Sequence, residues 1–171
     1  MPTTTIVPLR PEHEAAVEVL LDRAFEPERH ARTAYKVRGD ARAMAAASFV
    51  ALTDGAVVGS IQCWPVALAD DAGERWPLVM VGPVAVAPER QQGGLGRRLV
   101  ETALAALDSS GTGGQVLIGD PEYYGRFFGF TAAATAGWRL PGPVERHRML
   151  ARGPGVPRGA GAIAPRVLAG V

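Results

Sequence analysis

Residues 84–99, Val-Ala-Val-Ala-Pro-Glu-Arg-Gln-Gln-Gly-Gly-Leu-Gly-Arg-Arg-Leu, set strand-like valines, a proline and a glycine cluster directly ahead of a helical pattern. The first turn of a helix carries N–H groups with no intrahelical acceptor, and together with the helix dipole they attract phosphate oxygens. Glycine allows a ligand to approach that backbone closely. Gln91, Gln92, Gly93, Gly94, Leu95, Gly96 and Arg97 therefore read as an anion cradle, with Arg90, Arg97 and Arg98 as cations that can neutralise phosphate. Two common nucleotide motifs are excluded. A Walker A loop needs Gly-Lys-Ser or Gly-Lys-Thr, but Arg97 and Arg98 follow Gly96; a dinucleotide fingerprint needs a third glycine where Leu99 stands.

A second group is the pair Tyr123 and Tyr124, within a short helix that Asp120 starts and that has Pro121 at its first position. A phenol can donate or accept a hydrogen bond, although paired aromatic rings more often serve packing. His13, His30 and His147 lack the spacing of metal ligands, so no metal is expected. The single cysteine, Cys63, excludes an internal disulfide and a multi-cysteine metal site and reads as a small core residue.

The elements that must position these residues follow from periodicity. Thr4 to Leu9 reads as a strand. Ala16, Val19, Leu20 and Ala24 recur at helical spacing behind Glu12, Glu14 and Glu18, while residues 26–42 read as a charged, exposed second helix and loop. Two apolar runs flank Thr53-Asp54-Gly55 and predict a hairpin. Residues 77–88 form the next strand, which Gly82 and Pro83 are expected to bend or splay. Leu95, Leu99, Ala103 and Leu107 make an apolar stripe that packs a helix on a sheet. Residues 115–119 read as a buried strand, and the runs Trp-Arg-Leu-Pro and Arg-His-Arg-Met-Leu-Ala-Arg as two closing strands. From Gly153 to Pro165 the chain is rich in Gly, Pro and Ala, which predicts an irregular, partly mobile tail over 153–171.

A chain of 171 residues with 47% hydrophobic residues can bury one core. The formal net charge of +1 gives no general attraction to nucleic acid. No basic segment followed by a long apolar run opens the chain, and none of the apolar runs is long enough to span a bilayer, so the expectation is a cytoplasmic protein without membrane contact. Trp138 and Leu140, on an expected edge region, point to a homodimer.

The run Val84-x-Val86-x-Pro88 followed by Gln91-x-x-Gly94-x-Gly96 resembles the signature of the GCN5-related N-acetyltransferase (GNAT) superfamily. The order of elements agrees over about residues 4 to 152, and Gly119 to Phe130 is similar to the YhbS-type branch, with one additional phenylalanine at 127 or 128. The resemblance implies an α/β (α+β) fold, a mixed and mostly antiparallel sheet of about seven strands with about four helices in a single domain over 1–152. It implies acetyl-CoA as co-substrate, with its pyrophosphate on the loop and its pantetheine and thioester carbonyl on backbone groups of Val84, Ala85 and Val86. The acetyl group would pass directly to a primary amine, of a small molecule or of a protein. A tyrosine would protonate the leaving thiolate. Counting back from Gly129-Phe130 points to Tyr124, with Tyr123 the alternative. The resemblance implies a base that is a glutamate on this strand or a chain of waters; the strand carries no carboxylate between Pro77 and Pro88, so the base stays open, with Asp120 one candidate. A non-catalytic acyl-CoA sensor on the same scaffold is the competing reading.

Overall fold

The computed structural model describes residues 3–25, 29, 32–111 and 113–166. Along the chain these form β1 (Thr4–Pro8), α1 (Glu14–Ala24), α2 (Thr33–Arg38), β2 (Phe49–Thr53), β3 (Ala56–Asp70), β4 (Arg75–Val86), α3 (Leu95–Ser109), β5 (Gln115–Ile118), α4 (Pro121–Phe128), β6 (Trp138–Arg139), β7 (Met149–Arg152) and β8 (Gly161–Pro165). The strands make a mixed, mostly antiparallel sheet. Of the second charged segment, 26–28, 30 and 31 lie outside the described residues, and the rest supplies only the short α2.

The chain divides into two compact units, and both β3 and β4 run from one into the other. In the first unit, formed by Met1–Arg29, Ala43–Cys63 and Gly82–Ser110, β1 pairs antiparallel with β2, and β2 with the first half of β3. Asp54 and Gly55 both have positive φ, 52° and 80°, as the tight turn of the predicted hairpin requires. Alternation along the strands gives each face its own helix. On one, Leu99 of α3 packs over Ala51 and Gly59, where an added Cβ would lie 3.0 Å from the Leu99 Cδ1. The whole predicted stripe of α3, Leu95, Leu99, Ala103 and Leu107, is buried. On the other, Val17, Leu20 and Leu21 of α1 pack on Val50, Ala85 and Ala87. The chain beyond α1 is tied back by Arg29, whose buried guanidinium donates to Glu18 at 2.7 Å and Asp22 at 3.1 Å. Those acids are one helical turn apart and present a single face to the cation.

In the second unit, His30–Arg42, Trp64–Val81 and Gly111–Val171, β5 pairs antiparallel with β7 from Gln115–Arg152 to Ile118–Met149. Its parallel pairing with β4 covers only Val79–Gln115 and Met80–Val116. Beyond Met80, β4 reaches Gly82, whose φ of 117° marks the expected irregularity. The tail corrects the sequence reading. Residues 161–165 are not irregular: they form β8, antiparallel to the end of β3 and parallel to β6. Approach there is very close, since a Cβ on Gly161 would lie 2.5 Å from the Ala69 carbonyl oxygen. The second closing strand is shorter than the run read for it, because Arg146–Arg148 turn as a 3-10 helix before Met149. Trp138 is fully buried and its Nε1 donates to the Gly159 carbonyl at 3.1 Å. Its own chain covers it, so Trp138 needs no partner for cover, while Leu140 stays half-buried.

Candidate active site

The predicted signature is a continuous strand, turn and helix within the first unit. Val84 and Val86 are half-buried and Ala85 between them is buried, so the strand end alternates faces. A Cβ on Gly96 would meet Val86 Cγ2 at 3.6 Å and Val84 Cγ1 at 4.0 Å, so the first turn of α3 rests on this strand end. Between them, Pro88–Gly93 wind as a 3-10 helix that Gly94 stops, with φ 74° and ψ 14° in the left-handed region. Only glycine adopts this freely, so the chain reverses here and starts α3 at Leu95. The first α3 bond of this turn runs from the Arg98 N–H to the Gly94 carbonyl, 3.1 Å.

Four side chains around the turn, those of Glu89, Arg90, Gln91 and Arg97, are tied to protein. Glu89 accepts from Arg23 at 2.8 Å, Arg90 donates to Thr4, Gln91 donates to the Val86 carbonyl at 3.4 Å, and Arg97 pairs with Glu101 at 3.0 Å. The Glu89 carboxyl lies below the usual range, chiefly through its own backbone N–H and with help from Arg23. Leu95 is buried and offers the site only its backbone. What the turn presents outward is main chain: Gln91, Gln92, Gly93 and Gly94 are exposed, and added Cβ atoms at Gly93 and Gly94 would meet no protein atom within 4 Å. Open space, a positive φ and a helix N-terminus together fit an anionic group. Of the predicted cations, Arg97 is engaged with an exposed carboxylate that a phosphate can replace.

In the second unit, Asp120 caps α4 by accepting from the Glu122 N–H at 3.0 Å. Capping commits this carboxylate oxygen and weakens its candidacy as a base. Gly129 closes the helix at a φ of 76°, with its N–H on the Gly125 and Tyr124 carbonyls. The two tyrosine rings meet edge-on, centroids 5.0 Å apart, and differ in their other neighbours. Tyr123 joins Phe127 and Phe128, with ring centroids 5.3 and 5.8 Å away. Tyr124 turns toward the end of β5, its ring edge-on to buried Phe130 at 6.2 Å and seated over Gly119. A Cβ on Gly119 would lie 2.7 Å from Tyr124 Cε2, so only a glycine leaves room for the ring in this position. The Tyr124 phenol is pushed above its ordinary value of 10.0 by burial first, then by Tyr123 and Asp120, while Arg148 acts the other way. It therefore stays protonated at neutral pH and keeps its O–H to donate. Gly119 and Arg148, which are joined by the Gly119 N–H on the Arg148 carbonyl at 2.9 Å, escaped the sequence reading. A glycine between a strand and an Asp-Pro helix start was the available signal for the first.

Cys63 is buried, its backbone N–H held by the Ser48 hydroxyl at 3.0 Å, and burial pushes its thiol up to about 12. That is the state of an inert core thiol. Trp64 and Trp138 are buried, whereas Trp76 is exposed and donates to Asp70 at 2.8 Å. Among the described residues there is no group of three His, Cys, Asp or Glu side chains that could hold a metal, and no helix long and apolar enough to cross a membrane.

Comparison with known proteins gives these features a context. A family model described as an acetyltransferase (GNAT) domain matches residues 5–133. The GNAT family N-acetyltransferase YhbS from Escherichia coli, solved in complex with CoA, is 28% identical over 97% of this chain and 91% of its own, with a TM-score of 0.77. A GNAT family acetyltransferase from Brucella melitensis, in complex with acetyl-CoA, is 28% identical over 96% of both chains, with a TM-score of 0.67. The ribosomal-protein-S18-alanine N-acetyltransferase from Escherichia coli, at 20% identity over 87% of this chain and 90% of its own, is alike in fold with a TM-score of 0.53. None of the curated protein sequences matches the chain.

Proposed function

Because this chain belongs to the GNAT acetyltransferase family, whose chemistry is acyl transfer, we propose that it moves an acetyl group from acetyl-CoA to a primary amine. The observation that carries the reading is the left-handed Gly94 turn, which leaves main chain and open space at the start of α3. Residues 91–97 would receive the pyrophosphate through backbone N–H groups, with Arg97 exchanging its bond to Glu101 for one to phosphate. The relatives solved with CoA and acetyl-CoA support this choice of donor.

The chemistry then needs little from side chains. An unprotonated amine attacks the thioester carbonyl, and main-chain N–H groups of Val84 to Val86 stabilise the charge that develops on oxygen. The amine gives a proton to solvent. The C–S bond breaks, and the thiolate, with a basicity near that of a cysteine of pKa about 8.5, takes the proton of the Tyr124 phenol. Solvent then restores the phenol. Cys63 has no part in this, because a thiol held near 12 supplies no nucleophile.

Gly94→Val tests the loop assignment. At a φ of 74° a β-branched residue costs about 1–3 kcal/mol in backbone strain, which the fold should survive since no protein atom is in its way. Calorimetric titration with acetyl-CoA should show affinity lost or lowered by at least about tenfold. A folded Gly94→Val protein that binds acetyl-CoA as the parent does would remove the assignment.

A further inference from the structure

Gly119 and Arg148 stand opposite each other where β5 ends and β7 begins. The ladder runs to Ile118–Met149, and the next bond is that of the Gly119 N–H on the Arg148 carbonyl, 2.9 Å. Residues paired in this way send their side chains to the same face of the sheet. On Gly119 that face is occupied by the Tyr124 ring, which an added Cβ would meet at 2.7 Å, so the Arg148 side chain rises on the side of the phenol. Its positive charge acts on the phenol against the negative charge of Asp120. The two cations before it are engaged: Arg146 donates to the Trp138 carbonyl, and His147 Nε2 lies 3.3 Å from Glu145 Oε2. Arg148 is exposed, and among the described residues its guanidinium has no hydrogen-bond acceptor and no ion pair. Asp120, also exposed, spends one carboxylate oxygen on the Glu122 N–H at 3.0 Å. A charge of each sign is therefore present at the group that the reaction uses as its acid.

We propose that Arg148 selects the acceptor by holding a carboxylate carried a few bonds from the reacting amine, so that the acceptor class is small amino acids. This rests on the acyl transfer reading, in which Tyr124 protonates the leaving thiolate. In the tetrahedral intermediate the sulfur and the amine nitrogen are bonded to one carbon, so a cation beside the acid lies within reach of a group a few bonds from the amine. A planar guanidinium offers a carboxylate parallel donors that match its oxygens. One positive charge with Asp120 at hand suits a singly charged carboxylate better than a phosphate, which carries more negative charge. The Asp120 charge in turn matches the ammonium form in which such an amine arrives.

Thiol release from acetyl-CoA with glycine, β-alanine and their neutral amides, each rate taken per unprotonated amine, tests it. For at least one of these pairs the parent should show kcat/KM about tenfold or more higher for the carboxylate than for its amide, the value of one charge-assisted bond. Arg148→Gln, which keeps the backbone bonds of an exposed residue, should bring that ratio to about one. Arg148→Lys should keep part of the ratio, and Arg148→Glu should invert it. A merely structural role would lower both rates together and leave the ratio in place. A parent ratio near one, or a ratio that Arg148→Gln leaves intact, would overturn the proposal while acyl transfer stands. Lower acetyl-CoA affinity in Arg148→Gln at an unchanged ratio would overturn it as well, by assigning the guanidinium to the donor. Absence of turnover with these and all other primary amines would instead remove the acyl transfer reading, and this assignment with it.

Discussion

Gly119→Ala asks whether the position of the Tyr124 ring matters to turnover. The added Cβ would stand 2.7 Å from Tyr124 Cε2, 3.0 Å from its Cδ2 and 3.0 Å from Leu117 Cδ1. Carbon atoms rest about 3.5–4.0 Å apart, so the ring must move by about 1 Å. Overpacking of this kind costs about 1–3 kcal/mol. Restricting the unfolded chain by replacing glycine returns about 0.4–1 kcal/mol, which leaves a folded protein destabilised by at most about 2.6 kcal/mol. The kinetic effect should be larger, because a displacement of about 1 Å in a reacting group can cost up to about 100-fold. Thiol release from acetyl-CoA with a working acceptor amine should therefore show kcat reduced about 10- to 100-fold, with acetyl-CoA affinity unchanged. The same substitution in a Tyr124→Phe background should cost little more, since both changes act on one proton transfer. Full kcat in Gly119→Ala, or an equal further loss in the double variant, would refute the reasoning.

Two further outcomes follow from titrating groups. The Tyr124 phenol lies above its ordinary 10.0, so its contribution to stability is complete below that pH and is lost as pH rises through the native value. Urea unfolding between about pH 9 and pH 11 should show stability falling, and Tyr124→Phe should make the fall shallower; parallel declines would contradict the assigned burial. Cys63, with its thiol pushed up to about 12, should be silent to a thiol reagent in native buffer and react only on unfolding. As the single cysteine it gives an unambiguous signal, and rapid reaction of the native protein would show that the β3 core opens.

Local signals were legible wherever one segment determines its own structure. The Asp54-Gly55 turn, the α3 stripe and the Asp120-Pro121 helix start each depend on a few neighbouring residues, and each forms as read. Strand β8 was not legible, because Gly-Ala-Ile-Ala-Pro has no strand pattern. It pairs only because Gly161 lets the backbone of β3 come within a distance that any side chain would forbid. Missing β8 also exposed Trp138 on paper and suggested a dimer to cover it. In the candidate site, spacing singled out the loop glycines, while the left-handed conformation of Gly94 is a feature that only the structure shows. The distinction between Tyr123 and Tyr124 rested on a count. In the structure the two rings touch and both lie near Phe128, but only Tyr123 also meets Phe127 and only Tyr124 sits over Gly119 and against Phe130. The restraint on Arg97 by Glu101 and the anchoring of Arg29 by Glu18 and Asp22 are pairings that a sequence permits in many combinations.

The central claim is acyl transfer from acetyl-CoA with a phenol as the acid, and steady-state thiol release by the parent, Tyr124→Phe and Tyr123→Phe over a panel of primary amines tests it most directly. The parent should turn over with at least one amine. Tyr124→Phe should lower kcat by about 100-fold or more, the usual worth of a positioned acid, while calorimetry shows acetyl-CoA bound as before. Tyr123→Phe, altering a ring that packs with Phe127 and Phe128, should change kcat by only a few fold. The reverse ranking would make Tyr123 the acid. Turnover unaffected by either substitution would contradict the role of the phenol, and acetyl-CoA binding without turnover of any amine would contradict catalysis and leave a sensor.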